Sequence, residues 1–169
     1  MTYLLDYENS EKNFKLVKTT VTAYDTVGTS WANISGSQIA YTPASGASKV
    51  IYEFSSAYGY LDADNSLEIK LQIGNDISSI GDVVTNNVNY YSSFGWTSST
   101  NTEGSDMIGL RYILDISSLS WSGEKTLVLQ CKAYNNSNTK RSLVNCTTPT
   151  SDEVNDSLLF NPTVICYSI

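Results

Sequence analysis

The residue types in this chain that could carry out chemistry are carboxylates. The 169 residues include no histidine, which removes the Ser-His-Asp and Cys-His catalytic arrangements and the commonest metal ligand. A pair of carboxylates could still hydrolyse a glycosidic bond, because one can act as the acid and the other as the base or nucleophile. No glycine-rich phosphate-binding loop is present. The candidates by residue type are Glu53, Glu68, Asp115 and Glu124, none of which is marked out by its neighbours. The sequence therefore predicts that the chain is not an enzyme and uses no cofactor.

The cysteines do not indicate a metal site. Cys131, Cys146 and Cys166 lie far apart, and without histidine they match no zinc-site spacing. We predict three small buried side chains, and a disulfide between Cys166 and either of the other two stays open as an alternative. The segment 62–65 is similar to the start of a calcium loop. It lacks the glycine at the sixth position and the acidic twelfth ligand, so it predicts a turn and no bound metal.

A dense aromatic segment favours binding over catalysis. Residues 89–96 read NYYSSFGW, in a region that the pattern predicts as a loop. Exposed tyrosine and tryptophan side chains contact sugars and proteins well, because they offer a large rigid surface at low entropic cost. The alternative is that these rings cover one end of the fold. The candidate residues of a ligand-facing loop are Tyr90, Tyr91, Phe94 and Trp96.

The elements that would position these residues are strands. Apolar and polar residues alternate along much of the chain, and helical spacing is nearly absent. The clearest strand is 66–74, where every second residue is leucine or isoleucine and the residues between them are polar, the pattern of a strand with one wet face. The segments 110–116 and 125–134 repeat this alternation. Further strands are predicted at 14–24, 38–42, 48–58 and 158–169, the last of them interrupted at Pro162.

Turn-forming residues separate these strands and define the fold class. Two longer polar stretches, 77–106 and 147–156, are predicted to be loops. Turns are predicted at 42–46, 62–65, 122–123 and 135–138, and the last is predicted to close a hairpin. About eight strands joined in this way predict an all-β chain that forms an antiparallel β-sandwich, with the jelly roll as the favoured form.

The net charge of −7 limits the partners. An acidic chain repels phosphate, so neither nucleic acid nor an anionic membrane surface is an expected partner. No apolar stretch is long enough to span a bilayer, and the first ten residues have neither the basic start nor the apolar core of a secretory signal. We therefore expect the protein to fold where it is made.

The stretch 29–54, TSWANISGSQIAYTPASGASKVIYEF, contains a recognisable motif. An aromatic residue stands in a short strand, a second short strand ends in Thr-Pro, a serine-rich turn follows, and Ser-Lys precedes a hydrophobic strand. This arrangement resembles the opening of the C1q/TNF-like jelly-roll modules of bacteriophage fibre and surface proteins. The matching residues are Trp31, Ile39, Tyr41, Thr42, Pro43, Ser45, Ser48, Lys49, Val50 and Ile51.

The resemblance implies an assembly and a function. Modules of this kind are typically homotrimers, and strand 48–58 is apolar on both faces, so Val50, Tyr52 and Phe54 are the candidate subunit-interface residues. The implied function is that of a phage-like virion structural protein: a capsid decoration, head-fibre or appendage component. It would be assembled in the host cytoplasm and displayed on the particle surface.

The resemblance also implies a domain organisation and partners. Residues 1–28 are expected to form an arm and first strand that could dock to the particle, and 29–169 the jelly-roll domain. The expected partners are other capsid or tail proteins, with a host surface glycan as a further candidate. The alternative function is a carbohydrate- or receptor-binding β-sandwich module.

Overall fold

The structure, a computed structural model, describes residues 14–61, 67–74, 81–82, 92–94, 103–133, 141–146 and 159–169. All regular secondary structure in these ranges is β-strand. The described residues contain no helix that is long and apolar enough to cross a membrane. The strands are Phe14–Lys18 (β1), Asp25–Val27 (β2), Ala32–Asn33 (β3), Ile39–Tyr41 (β4), Lys49–Leu61 (β5), Leu67–Gly74 (β6), Gly81–Asp82 (β7), Ser92–Phe94 (β8), Glu103–Asp115 (β9), Lys125–Ala133 (β10), Arg141–Val144 (β11) and Thr163–Ser168 (β12).

These strands form two antiparallel sheets. Sheet A has the order β1-β12-β5-β11-β2, and β9 pairs along the other edge of β5. Sheet B has the order β3-β10-β6-β7, and β4 and β8 extend the edges of β10 and β6. The long strands alternate between the sheets along the chain, with β5, β9 and β12 in sheet A and β6 and β10 in sheet B. This connectivity is that of a jelly roll, and the predicted all-β antiparallel sandwich is confirmed.

The alternation of the sequence explains which face of each strand is buried. In β10, Leu127, Leu129, Cys131 and Ala133 are at most 3% exposed and belong to the core between the sheets. The predicted strands at 66–74, 110–116 and 125–134 are all present, with their apolar residues turned inward as expected. β9 begins at Glu103 and pairs with β5 over its full length. It is therefore longer than the segment 110–116, in which the alternation of apolar and polar residues predicted a strand.

A tyrosine pair of sheet A lies in the core, and the hydroxyl group of one of them begins a chain of hydrogen bonds that reaches sheet B. Tyr52 of β5 and Tyr112 of β9 are buried, with ring centroids 6.1 Å apart in an edge-on arrangement. Tyr52 Oη donates a hydrogen bond of 2.5 Å to the carbonyl oxygen of Ser37, in the segment between β3 and β4. Ser37 Oγ in turn accepts a bond of 3.1 Å from the backbone N–H of Leu129. Because a buried hydroxyl without a partner is costly, this chain of bonds favours one packing of the sheets.

The predicted strand 14–24 is shorter in the structure, because β1 ends at Lys18 and the next strand, β2, begins at Asp25, beyond the predicted segment. β1 pairs with β12 and β2 pairs with β11, and the chain leaves the sheet between them. At this gap the backbone N–H of Thr19 donates to the carbonyl oxygen of Pro162 over 3.2 Å. Pro162 has no N–H to continue a ladder of hydrogen bonds. The predicted strand 158–169 is accordingly interrupted at this residue, and β12 begins after it, at Thr163. Within 14–28, β1 and β2 therefore both belong to sheet A, and residues 1–13 lie outside the described part of the chain.

Two other predictions are wrong. The segment 77–106 is not a continuous loop, because it contains β7, β8 and the start of β9. The turn 135–138 does not close a hairpin, because β10 belongs to sheet B and β11 to sheet A. The connection therefore crosses from one sheet to the other. The segments 62–65 and 147–156 lie outside the described residues.

Candidate functional site

The candidate carboxylates are dispersed. Glu53 lies on the outer face of sheet A, with Oε1 3.2 Å from Arg111 Nε, and Glu68 lies on the outer face of sheet B, with Oε2 3.1 Å from Lys132 Nζ. The two carboxylates are thus on opposite sides of the sandwich and cannot act on one bond. Each has the environment of a surface ion pair between adjacent strands.

Asp115 stabilises a turn. Its Oδ1 accepts bonds of 2.6 Å from Ser117 Oγ and 3.0 Å from the backbone N–H of Ser118, at the end of β9. These bonds hold the pKa of the Asp115 carboxyl below its usual value, with a smaller contribution from the charge of Lys49. Such Asx-type bonds are typical of a turn-forming aspartate. Glu124 is exposed just before β10.

The three cysteines are buried, and all are free thiols. Burial raises the pKa of Cys131 and of Cys166 to about 12 in each case. The prediction of small buried side chains is confirmed, and the structure contains no disulfide between them. Within the described part of the chain, no three His, Cys, Asp or Glu side chains lie close enough together to hold a metal ion.

The residues predicted for a subunit interface lie inside a single chain. Val50, Tyr52 and Phe54 are at most 2% exposed and belong to the core between the sheets. Their assignment to an interface disagrees with this burial, because a side chain covered by its own chain has no surface left for a second copy. The other face of β5 carries Ile51, Glu53 and Ser55, and it is this face that looks outward.

The predicted ligand-facing loop is largely outside the described residues. Tyr90, Tyr91 and Trp96 fall in segments that the structure does not describe. Phe94 is the last residue of β8, which pairs with β6 so that Phe94 lies opposite Leu67. The role of these four residues in binding stays a prediction.

Sequence reasoning missed an apolar surface on the outside of sheet A. The large hydrophobic side chains that are exposed in the described residues lie there, at strand positions that alternate with core residues or, for Ile169, directly after β12. We call this surface the apolar face. Its exposed members are Phe14 (64%), Leu16 (55%), Met107 (52%), Ile169 (46%) and Ile113 (44%).

The strand register brings the apolar face together. Phe14, Tyr167, Ile51 and Ile113 lie opposite one another across β1, β12, β5 and β9. The rings of Phe14 and Tyr167 stack with centroids 6.5 Å apart. Ile51 is only 1% exposed although it is on this outer face, so its neighbours already cover it. The face is therefore a packed apolar layer and not a set of isolated side chains.

A groove and a small polar cluster complete the apolar face. Arg111 Nη2 donates a bond of 3.1 Å to Tyr167 Oη, and Arg111 also pairs with Glu53. Beside this cluster is an open groove of about 260 Å³, lined by Gly109 and Thr163 among others. A side chain at Gly109 would meet open space, so the groove exists because this position has no Cβ.

The outer face of sheet B has a different character. Trp31, just before β3, is half-buried, and Lys70 Nζ and Lys132 Nζ lie 4.5 and 5.0 Å from its ring centroid. Nearby, Gln130 Nε2 donates a bond of 2.9 Å to Asn33 Oδ1. The sequence had singled out Trp31 only as part of the motif, because strand alternation does not show which polar side chains will surround an aromatic ring.

Comparisons with known proteins concern the fold. No protein-family model matches the chain, and no curated protein sequence matches it. It is similar to the structure of infectious bursal disease virus Gx strain, with a TM-score of 0.49 and 9% identity over 94% of this chain. A structure of T=1 particles derived from infectious bursal virus gives a TM-score of 0.42 and 8% identity over 93%.

A non-viral structure is also similar, at a lower score. Eiger TNF from S. frugiperda gives a TM-score of 0.31 and 8% identity over 85% of this chain and 92% of that one. The present chain spans only 37% and 36% of the two viral chains. At identities of 8–9% these similarities identify no residues of a site.

Proposed function

We propose that this chain is a non-enzymatic structural protein of a virus particle, of the bacteriophage type, that assembles as a homotrimer at the particle surface. The observation that carries the proposal is the apolar face of sheet A. A protein that works as a monomer rarely exposes a contiguous apolar layer on a sheet, and such layers mark association surfaces. The proposed trimer buries this face against identical copies.

A second copy is the occupant that the face fits. The charged groups at its centre, Glu53 and Arg111, already pair within one chain at 3.2 Å. The other charged residues on this side of sheet A, Lys18, Lys49 and Asp115, lie at strand ends, so the apolar centre favours contact with another apolar surface of the same kind. Phe14, Leu16 and Ile113 occupy the strands at both edges of the layer, so neighbours arranged around a threefold axis could cover it from two sides.

The local structure of the motif supports the same assignment. β4 ends at Tyr41 before Pro43, a turn follows in which the N–H of Ala47 donates to Ala44 over 3.2 Å, and β5 starts at Lys49. Short strand, turn and long hydrophobic strand occur in the order that the phage-protein resemblance implies. In the proposed particle, the residues before β1 would contact other capsid or tail proteins, because β1 itself lies in the trimer contact.

Assembly can be tested with charges on the apolar face. Leu16→Glu with Ile113→Glu places carboxylates at two positions that are 55% and 44% exposed in the single chain. The monomer should fold normally, while association should weaken by about 100-fold or more, because buried unpaired charges are strongly unfavourable. Light scattering at micromolar concentration should give three times the 18.5 kDa chain mass for the parent and the single mass for the variant.

The matched control is Thr29→Glu with Ser122→Glu, which adds the same charge at exposed positions in segments that lead into sheet B. It should keep the parent mass. A parent protein that is monomeric at micromolar concentration, or a double variant on the apolar face that keeps the trimer mass, would contradict the proposal. Electron microscopy of particles from the source, labelled with antibody to the purified chain, tests the position at the surface.

A further inference from the structure

The outer face of sheet B carries a cluster that trimer formation on sheet A does not use. We name it the polar platform; its residues are Trp31, Asn33, Glu68, Lys70, Gln130 and Lys132. Strand register explains how it forms. Gln130 of β10 lies between Asn33 of β3 and Lys70 of β6. One step along the sheet, Lys132 lies opposite Glu68.

The two lysines of the platform are held in place by its ring. Their ammonium groups lie 4.5 and 5.0 Å from the Trp31 centroid, within the range of a cation–π interaction. A lysine side chain normally loses much rotamer freedom when it binds a ligand. Ammonium groups that already rest on an aromatic ring lose less of it, so they are better placed to bind an anion.

The platform is positive in a negative protein. Lys70 and Lys132 bring two positive charges and Glu68 one negative charge, and Glu68 pairs with Lys132 at 3.1 Å. The whole chain carries a net charge of −7. The named residues of the platform therefore attract an acidic group, although the protein as a whole repels anions.

The amides of the platform add hydrogen-bonding capacity. The bond between them uses the Gln130 nitrogen and the Asn33 oxygen, at 2.9 Å. It fixes both side chains, and the complementary atoms, Asn33 Nδ2 and Gln130 Oε1, are a donor and an acceptor on an exposed sheet face. A pair of this kind matches the vicinal hydroxyl groups of a sugar ring.

We propose that the polar platform binds an acidic saccharide, a sugar chain that carries carboxylate or sulfate groups. The lysines bind the acidic group, the amides bind ring hydroxyls, and the edge and remaining surface of Trp31 contact the apolar side of a pyranose. None of the platform's residues belongs to the aromatic segment 89–96, although Ser93 of β8 lies opposite Glu68. The platform is formed within one chain, so the proposal does not depend on the trimer.

Isothermal titration calorimetry with the full chain tests the site. The probes are a heparin-derived hexasaccharide and sialyllactose as acidic sugars, with maltohexaose as the neutral sugar. At least one acidic probe should bind and the neutral one should not. Lys70→Gln with Lys132→Gln removes the charge at similar size, and Trp31→Ala removes the ring. Each should weaken binding by about tenfold or more.

The matched control is Lys18→Gln with Lys49→Gln, which removes the same charge from sheet A and should leave affinity within about twofold. Equal losses in both lysine pairs would show general charge attraction and overturn the site. So would the absence of binding by both acidic probes, or full competition by inorganic sulfate at the same concentration. The double variant Leu16→Glu with Ile113→Glu, which is designed to disrupt the trimer, should still bind the acidic saccharide. This result would show that the saccharide site does not depend on the trimer.

Discussion

At the scale of single residues, Asn145 shows how one polar side chain can fix a junction. It is fully buried at the end of β11 and has a φ of 62°, in the left-handed region. Ser56 Oγ donates to its Oδ1 over 2.6 Å, and its Nδ2 donates to the carbonyl oxygen of Ser35 over 3.0 Å. Nδ2 also lies 3.2 Å from Asp25 Oδ2. Asn145 therefore ties β5 and β2 to the segment that follows β3.

Removing this side chain should destabilise the fold. Asn145→Ala leaves the buried hydroxyl group of Ser56 and the part-buried carbonyl group of Ser35 without their partner and keeps a Cβ in the left-handed region, so we expect a loss of about 3 kcal/mol. Asn145→Gly loses the same hydrogen bonds, but glycine adopts a positive φ without strain. Its loss of unfolding free energy should therefore be about 1 kcal/mol smaller than that of Asn145→Ala. Urea unfolding followed by fluorescence measures both values.

Asn33→Ala is the control for this pair, since its amide is exposed and its loss should change stability by about 0.5 kcal/mol or less. Equal stability of Asn145→Ala and Asn33→Ala would show that the buried network does not contribute. The sequence pattern did not single out Asn145. Its burial could not be read from the sequence, because it depends on which segments meet at the end of β11.

The error at Val50, Tyr52 and Phe54 has a related cause. β5 is apolar on both faces, and the sequence alone does not tell which face meets sheet B. The structure puts these three residues in the core and leaves Ile51 on the apolar face. Alternation indicated that β5 has apolar residues on both faces but did not indicate which of them lie between the sheets.

At the scale of elements, alternation predicted the central strands well. β6, β9 and β10 each have one face in the core, and the period of two is then visible in the sequence itself. The short strands β2, β3, β7 and β8 were not predicted as such. They have two or three residues each, too few for a period, and their positions are set by pairing with longer strands that are distant in sequence.

Gly36 shows why the segment around β1 departs from its predicted strand. It has a φ of +76°, and a Cβ there would collide with Pro162 Cγ and lie 3.0 Å from Thr19 Cβ. Three segments thus pass close together where β1 ends and β12 begins. The close approach requires glycine at this point, and the strand is interrupted because Thr19 bonds to Pro162 and not to a ladder partner.

Gly36→Ala should therefore destabilise the sandwich by about 3 kcal/mol, from backbone strain and collision together. Gly46→Ala is a matched comparison, because Gly46 has a similar φ of +78° and open space around its Cβ position. It should cost about 1 kcal/mol, from the backbone alone. Thermal unfolding of both variants measures the difference. Equal losses would mean that Pro162 moves aside without cost.

At the scale of the whole molecule, the two sheets have separate surfaces for separate contacts. The outer face of sheet A carries a packed apolar layer, which suits permanent contact between identical copies. The outer face of sheet B carries charges, amides and a half-buried tryptophan, which suits a polar ligand. A trimer built on sheet A would leave sheet B directed outward on every subunit, so three polar platforms would act together and raise the avidity for a multivalent saccharide.

If the apolar face is buried by identical copies, folding and assembly are coupled, and stability must depend on concentration. Mass action raises the apparent Tm of an oligomer by about 2–3 °C for each tenfold increase in chain concentration, for a chain of this size. The parent protein should show this increase in scanning calorimetry. Leu16→Glu with Ile113→Glu should unfold at a lower Tm that does not change with concentration. A parent Tm independent of concentration, in a sample that refolds fully, would mean that each chain is stable alone and that the apolar face contributes nothing to the fold.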